Sequence, residues 1–530
     1  MLAKRCIVIS HVVDNTVSLH GQTVCCLREL VTLETPAVLI LGFLFTYSIS
    51  SLSYIVHQPL GIPYLSIDFT LIIVTMSGLN VLISGSGIAG NVLAFWLIRA
   101  GANVTIIERD SELRRTGQSI DIRGCAVDVI EMMGLKSQLD AAKTSEKGLK
   151  FVDTHGKDWA VFPTTGKANQ QSFSSEYEVL RGELAGLFSD AIQDRVEWIF
   201  GDSISEMQQN GSSCTVSFTS GRAPRTFSLV VGADGLRSST RSKAFNVSPL
   251  ENLDSMGAFA AYFTIDKDLL GSTDPDLARW YAASGGRLIL LRPGKNDGKT
   301  RATLIKQTDR SEAIMNKFRS TQRAGHEAFK DLVEETWHDA GWIADEVLAG
   351  MRASSDFYSG EIAQIKTTSL SKGRVVLVGD AAFGAWTLTG MGTTLAIMGA
   401  YVLAGEICEN ADDLDTAFQK YEEFMLPYAN EVRDIRPNLP FFVYPQKEWQ
   451  VRLLYFFLWL VWVLDLKRLL RPMAKAFQEN NHQLPEYEKW VEDIEINEAK
   501  RHDSVTAEDG EDGEEREKLE ESMMQEFGHA

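Results

Sequence analysis

Short, unbroken apolar runs that stop at a glycine recur three times along the chain, far apart. Asn80–Ser84 (NVLIS) runs into Gly85, Leu229–Val231 into Gly232, and Val375–Val378 into Gly379. Runs of this length bounded by turn residues read as strands buried on both faces, the condition of strands in a parallel sheet. Val92–Ala100 follows the first run on a helical period and closes at Gly101, and Val104–Ile107 gives a further strand that ends on Glu108. A glycine-rich turn and a long apolar helix, Gly390–Ile407, follow the third run. Gly257–Ile265 and Leu288–Leu291 are further strand-like runs. The pattern predicts an α/β chain in which one parallel sheet is assembled from distant segments.

Three apolar stretches fall outside that scheme. Thr35–Ile67 contains no Asp, Glu, Lys or Arg. Its best window, 36–56, has the roughly 20 residues of a spanning helix but is diluted by Thr46, Ser48, Ser50, Ser51 and Ser53. Lys4 and Arg5 lie too far from it to make a cleaved signal. Phe69–Val74 is the second stretch, directly before Met76, where MSGLNVLISGSGIAG reads as the natural start of a nucleotide-binding domain. Residues 1–75 are either a membrane anchor or the product of an upstream start codon, and the second reading is preferred. The third stretch, 453–464 (LLYFFLWLVWVL), is too short to span alone. Arg452, Lys467 and Arg468 flank it, so a buried or interface-lying helix, open to shallow membrane contact, is expected.

Charge changes the picture only at the C-terminus. The net charge is -19, but Phe477–Ala530 alone holds 18 acidic against 5 basic residues, so the remainder is only mildly acidic. From about Glu492 onward the chain is acidic and poor in apolar residues, as a solvated tail is. No basic stripe offers a nucleic acid a binding face. The six cysteines show neither metal-ligand spacing nor a dense disulfide framework, and read as free thiols in a reducing compartment. No metal site is expected.

The first glycine turn carries chemistry. In Gly85-Ser86-Gly87-Ile88-Ala89-Gly90, Gly85 permits the tight turn out of the strand, Gly87 leaves no side chain between the backbone and a pyrophosphate, and Gly90 lets the helix pack closely. The helix N-terminus offers N–H groups and a partial positive charge to the phosphates. Glu108, 18 residues after Gly90, can accept hydrogen bonds from ribose hydroxyls. An acid there disfavours a 2′-phosphate, so the tightly held dinucleotide is FAD or NAD rather than NADP.

With the two later turns, LVVGADGLRSSTRS at 229–242 and GRVVLVGDAAFGAWTLTGMGTT at 373–394, the chain resembles the class A FAD-dependent monooxygenases, the para-hydroxybenzoate hydroxylase-like family. Its tetracycline-modifying and bacterial or fungal secondary-metabolite branches are the most similar. The resemblance spans about residues 78–435. It implies that GSGIAG with Glu108 and Arg109 binds the ADP half of FAD. It makes Asp234 part of a motif serving both FAD and NAD(P)H, and has Asp380 hold the flavin ribityl chain. By the same resemblance the turn Gly390, Gly392 and Thr393 would lie against the isoalloxazine ring. Arg181, in YEVLRGELAGL, would be the flavin-contacting arginine, and Gly117, Asp121 and Arg123, in GQSIDIRG, would pass the flavin edge. Phe383 stands where the family has His or Tyr, and Ala385, Trp386 and Thr387 replace its prolines.

The resemblance implies an α/β fold: a Rossmann-like FAD-binding domain, an inserted antiparallel-sheet substrate domain and a C-terminal helical region. The divisions expected are a hydrophobic extension at 1–75, the FAD-binding domain at 76–245 and 361–435, a substrate sheet at 246–360, C-terminal helices at 436–491 and the acidic tail at 492–530. The implied activity is oxygenation of a small aromatic or polyketide-like substrate, in secondary metabolism, with O2 and NAD(P)H as a transient co-substrate. Epoxidation, Baeyer–Villiger insertion, reduction on the same fold, and a non-catalytic flavoprotein subunit stay open as alternatives. Trp280, Tyr281 and Tyr262 are candidate pocket residues, and no residue reads as a catalytic base. The expected location is the cytoplasm, or a membrane facing it, with contact through 36–56 or 453–464.

Overall fold

The computed structural model describes residues 16–19, 22–25, 78–113, 115, 117–163, 177–271, 273–294, 297–308, 311–434, 443–464 and 483–487. The stretch 36–56 and the acidic tail 492–530 lie outside the described residues. The chain divides into two compact units, Met1–Val74 and Thr75–Ala530. In the first, the strands Thr16–Leu19 and Gln22–Cys25 pair antiparallel.

The second unit contains the sheet that the glycine-terminated runs predicted. Its strand order is Ser371–Lys372, Val375–Leu377, Leu229–Gly232, Asn80–Ser84, Asn103–Glu108, Glu197–Phe200. All neighbours are parallel except the short Ser371–Lys372 edge. The earliest strand is thus central, with later strands added on both sides, which makes its carboxyl end a topological switch point where ligands bind. Alternation along the strands sorts the faces. Val81, Ile83, Val104, Ile106, Leu229 and Val231 pack with the helices Ile88–Arg99, Gly392–Glu409 and Leu414–Arg433. Leu82, Ile107 and Val230 pack with a three-stranded antiparallel sheet, Ile204–Gln209, Cys214–Phe218 and Arg225–Phe227.

A seven-stranded sheet forms the other half, in the order Tyr358–Ile365, Leu253–Ile265, Thr300–Gln307, Arg287–Pro293, Leu277–Ala283, Gly148–Val152, Asp158–Pro163. It is antiparallel except where Leu277–Ala283 runs parallel to Gly148–Val152. Two of its strands therefore come from well before residue 246. The helices Glu312–Ala324, His326–Trp337 and Ala344–Ala353 cover one face. The helix Glu448–Val463 covers part of the other, and the rest of that face meets Trp386 and Tyr444. Among the described residues, no helix is long and apolar enough to cross a membrane.

Candidate functional site

The carboxyl ends of the parallel strands bring the three glycine turns into contact. Gly85 adopts φ +110°, and a Cβ there would stand 2.6 Å from the Ala233 carbonyl oxygen and 3.1 Å from Asp234 Cα, so the first turn rests on the second. At Gly379 (φ +62°) a Cβ would stand 2.7 Å from Ala89 Cβ, so the third turn rests on the start of the first helix. A Cβ at Gly90 would collide with the Gly85 carbonyl oxygen. Gly87 and Gly392 differ from these three: a Cβ at either meets nothing within 4 Å. Gly87 caps the helix Ile88–Arg99 and Gly392 begins the helix Gly392–Glu409, whose second residue is the half-buried Thr393. Both helices border Gly379 and leave their first N–H groups without intrahelical partners.

Side chains fix each turn. Glu108 accepts hydrogen bonds from Ser86 N–H (2.9 Å) and Ser86 Oγ (2.8 Å) on one oxygen and from Asp110 N–H (3.1 Å) on the other, which places its carboxylate at the mouth of the glycine turn. Arg109 points to solvent, its side chain 82% exposed. Asn91, fully buried, ties the turn to the neighbouring helix by donating to the Ser86 carbonyl at 3.0 Å and the Ala185 carbonyl at 3.4 Å. Asp234 is bound inward: Ser238 Oγ donates to one oxygen, and Thr240 N–H and Oγ1, both at 3.0 Å, to the other. Its carboxylate thereby shapes its own turn. Arg241, fully buried, bonds the Ala381, Leu236 and Pro249 carbonyls and so ties the second turn to the third. Neither Asn91 nor Arg241 was among the expected site residues: Asn91 shows as a polar residue inside a buried helical run, whereas Arg241 lies in the polar helix Ser239–Phe245, whose sequence gives no sign of its burial.

The remaining candidates line one edge. Asp121 and Arg123 pair at 2.7 Å, mostly buried. They lie under Gly390, whose φ of +65° would aim a Cβ to within 2.9 Å of Asp121 Oδ2. Gly117 packs on Arg181, the first residue of the helix Arg181–Asp190. The Arg181 charge reaches both Asp380 and Tyr262. Asp380 is half-buried. Burial raises its carboxyl above the usual range and Arg181 opposes the shift. Glu178, opposite Asp121 in the strand pair, is held well above the carboxylate range by burial, with Arg292 opposing. Arg292 also grips Glu146, at 2.8 Å. Among buried polar atoms, Asp121 Oδ1, Arg123 Nε and Gln118 Oε1 have no hydrogen-bond partner.

The seven-stranded sheet supplies an aromatic row. Tyr358, Tyr262, Thr303, Leu290 and Trp280 stand opposite one another across successive strands and share a face. Tyr262 and Tyr358 stack at 4.8 Å. Burial pushes the Tyr262 hydroxyl up to about 12, Arg181 pulling the other way, so it is a neutral donor at physiological pH. Trp386 is buried beside this row. Tyr281 corrects the expectation made for it. It alternates to the opposite face, packs in the helix-covered core and bonds the Ala340 carbonyl. Phe383 packs end-on against Gly399 of the long helix, where a Cβ would stand 2.6 Å from its ring.

These features fit FAD: two glycine-headed helix starts with open space, an acid at the ribose position, and unpaired buried polar atoms along the opposite edge. The comparisons agree. Residues 78–432 match the FAD binding domain family. The FAD-dependent monooxygenase asL4 of Sarocladium schorii is 34% identical, over 78% of this chain and 99% of the relative. Monooxygenase CTB7 of Cercospora beticola is also 34% identical, over 78% and 98%. Among solved structures, the tetracycline destructase Tet(51) aligns with a TM-score of 0.61 at 26% identity, over 77% of this chain and 99% of its own. With its three turns meeting at one switch point and its similarity running nearly the full length of these relatives, the chain belongs to the class A FAD-dependent monooxygenases.

Proposed function

We propose that this enzyme inserts one oxygen atom into a small aromatic or polyketide-like substrate of secondary metabolism, using O2 and NAD(P)H. The observation that carries the reading is the contact of the Gly85, Ala233–Asp234 and Gly379 turns beside the open Gly87 and Gly392 positions. In this reading Gly85, Gly87, Gly90 and Glu108 hold the ADP half of FAD, with Arg109 as the available surface cation. Asp380 holds the ribityl chain. Gly390, Gly392 and Thr393 face the ring system, and Gly117, Asp121, Arg123 and Arg181 run along its edge. Asp234 acts on the site by shaping the second turn.

Bound FAD supplies the redox chemistry, passing electrons from NAD(P)H to O2. The protein's own tasks are binding, orientation and exclusion of water. The Asp380 carboxylate can accept hydrogen bonds from ribityl hydroxyls. Tyr262 can donate to a substrate oxygen. The Trp280, Leu290 and Trp386 side chains give an apolar wall suited to a flat, largely apolar ring. Six cysteines with neither metal-ligand spacing nor a dense disulfide framework suit a reducing compartment, and we place the enzyme in one that faces the cytoplasm. Purified protein reconstituted with FAD should show flavin absorbance and oxidise NAD(P)H faster when a polyketide-like phenol is added. Incorporation of 18O from 18O2 separates oxygen insertion from reduction. Protein that stays colourless after reconstitution overturns the proposal.

A further inference from the structure

Exposed large apolar side chains are concentrated on one helix. Of the ten among the described residues, seven lie between Trp449 and Leu464. The helix Glu448–Val463 turns Leu454, Tyr455, Leu458 and Val461 inward onto the seven-stranded sheet. Tyr455 pins it there, its hydroxyl donating to the Val152 carbonyl at 2.7 Å and accepting from Ala282 N–H at 2.9 Å. The opposite side carries Trp449 (60% exposed), Leu453 (52%), Phe456 (51%), Trp459 (39%) and Val463 (51%). Their three- and four-residue spacing makes one continuous stripe. Arg452, 84% exposed, stands within it.

The chemistry of the stripe selects its occupant. Tryptophan and phenylalanine on one side of a helix, with basic residues around them, are the composition of helices that lie in a membrane interface. From Lys447 to Lys475 the chain has six basic and two acidic residues, whereas the whole chain carries -19. That local reversal of sign complements anionic headgroups.

We propose that the helix Glu448–Val463 docks the enzyme on an anionic lipid surface, lying flat with its aromatic stripe inserted among the headgroups. The helix is about 24 Å long, enough to lie along the surface. Its inner side shares Trp280 and Leu290 with the aromatic row of the candidate substrate wall. Docking therefore sets the bilayer against the same sheet that receives the substrate; this last point, unlike the docking, rests on the substrate reading above.

The test is flotation of the full chain, loaded with FAD, with neutral phosphatidylcholine vesicles and with vesicles that also contain phosphatidylglycerol. The wild type should float with the anionic vesicles and release as salt is raised. The double variant Phe456→Ser/Trp459→Ser should bind about tenfold or more weakly while keeping its flavin absorbance. Wild type that stays unbound with both vesicle types overturns the proposal. So does light scattering that shows a dimer converted to a monomer by the variant, since the stripe then belongs to a second copy. Absence of flavin from protein that still floats sinks the oxygenase reading and leaves the docking intact.

Discussion

The glycines of the first turn give the most discriminating test, because the structure assigns them different jobs. Alanine at position 90 sets its methyl into the Gly85 carbonyl oxygen. The helix start must retreat by roughly 1 Å, an overpacking that costs about 1–3 kcal/mol. Alanine at position 87 meets no protein atom within 4 Å, and the backbone there (φ −75°, ψ −173°) is open to any residue. Alanine is a poorer helix cap than glycine by up to about 1 kcal/mol, offset by the ~0.4–1 kcal/mol that alanine takes from the freedom of the unfolded chain. Gly87→Ala should therefore leave the melting temperature of FAD-free protein nearly unchanged, while Gly90→Ala lowers it. In the proposed site the methyl at 87 would take space the pyrophosphate needs, so FAD affinity should fall about 10- to 100-fold, ~1.4–2.8 kcal/mol. Thermal melts without FAD and titration of flavin fluorescence provide both numbers. If Gly87→Ala melts as low as Gly90→Ala, or binds FAD as the wild type does, the phosphates do not pass this glycine.

Gly390→Ala should weaken flavin binding and turnover, because the residue sits at φ +65° against the Asp121–Arg123 pair. Asparagine, more tolerant of that backbone region, should restore part of the loss, and equal damage by both would point away from backbone strain. Burial raises the Asp380 carboxyl above its ordinary 3.8. A carboxyl with a raised folded value favours folding below its ordinary value and costs stability as pH rises through the raised one. FAD-free Asp380→Asn should thus melt above wild type at about pH 7.5, with the advantage shrinking toward about pH 4; an advantage constant with pH would refute the assignment. Arg241→Met leaves three carbonyls without their donor and should cost about 3 kcal/mol or more, read as a lowered denaturation midpoint. Lysine should not rescue it, since it lacks the planar fork.

The parallel sheet was legible because its signal is local. NVLIS and its counterparts are apolar on both faces and end on glycines that backbone geometry demands, as Gly85 and Gly379 confirm with positive φ. The seven-stranded sheet was only half legible. Gly148–Val152 joins it by pairing with Leu277–Ala283, and nothing within either segment announces a partner more than a hundred residues away. Facing was illegible for a related reason. In Leu277–Ala283 both sides of the strand carry a large aromatic and are buried or half-buried, so alternation separates Trp280 from Tyr281 only once the helices on one face are known. Asp234 shows a third limit. The letter alone does not reveal that its carboxylate also caps its own turn.

The order of strands has a consequence for how the enzyme is made. Leu229–Gly232 pairs on one side with Asn80–Ser84, already synthesised, and on the other with Val375–Leu377, which leaves the ribosome only after most of the second sheet. In the interval its apolar edge has no partner, the condition that invites chaperones or aggregation. Asp380 and Gly390 travel on the same late segment as the missing strand. On the roles proposed for Asp380 and Gly390, a nascent or truncated chain that ends before them should not retain the cofactor, so loading would be an event of the nearly complete polypeptide, and a premature stop would leave an apoprotein with an open sheet edge.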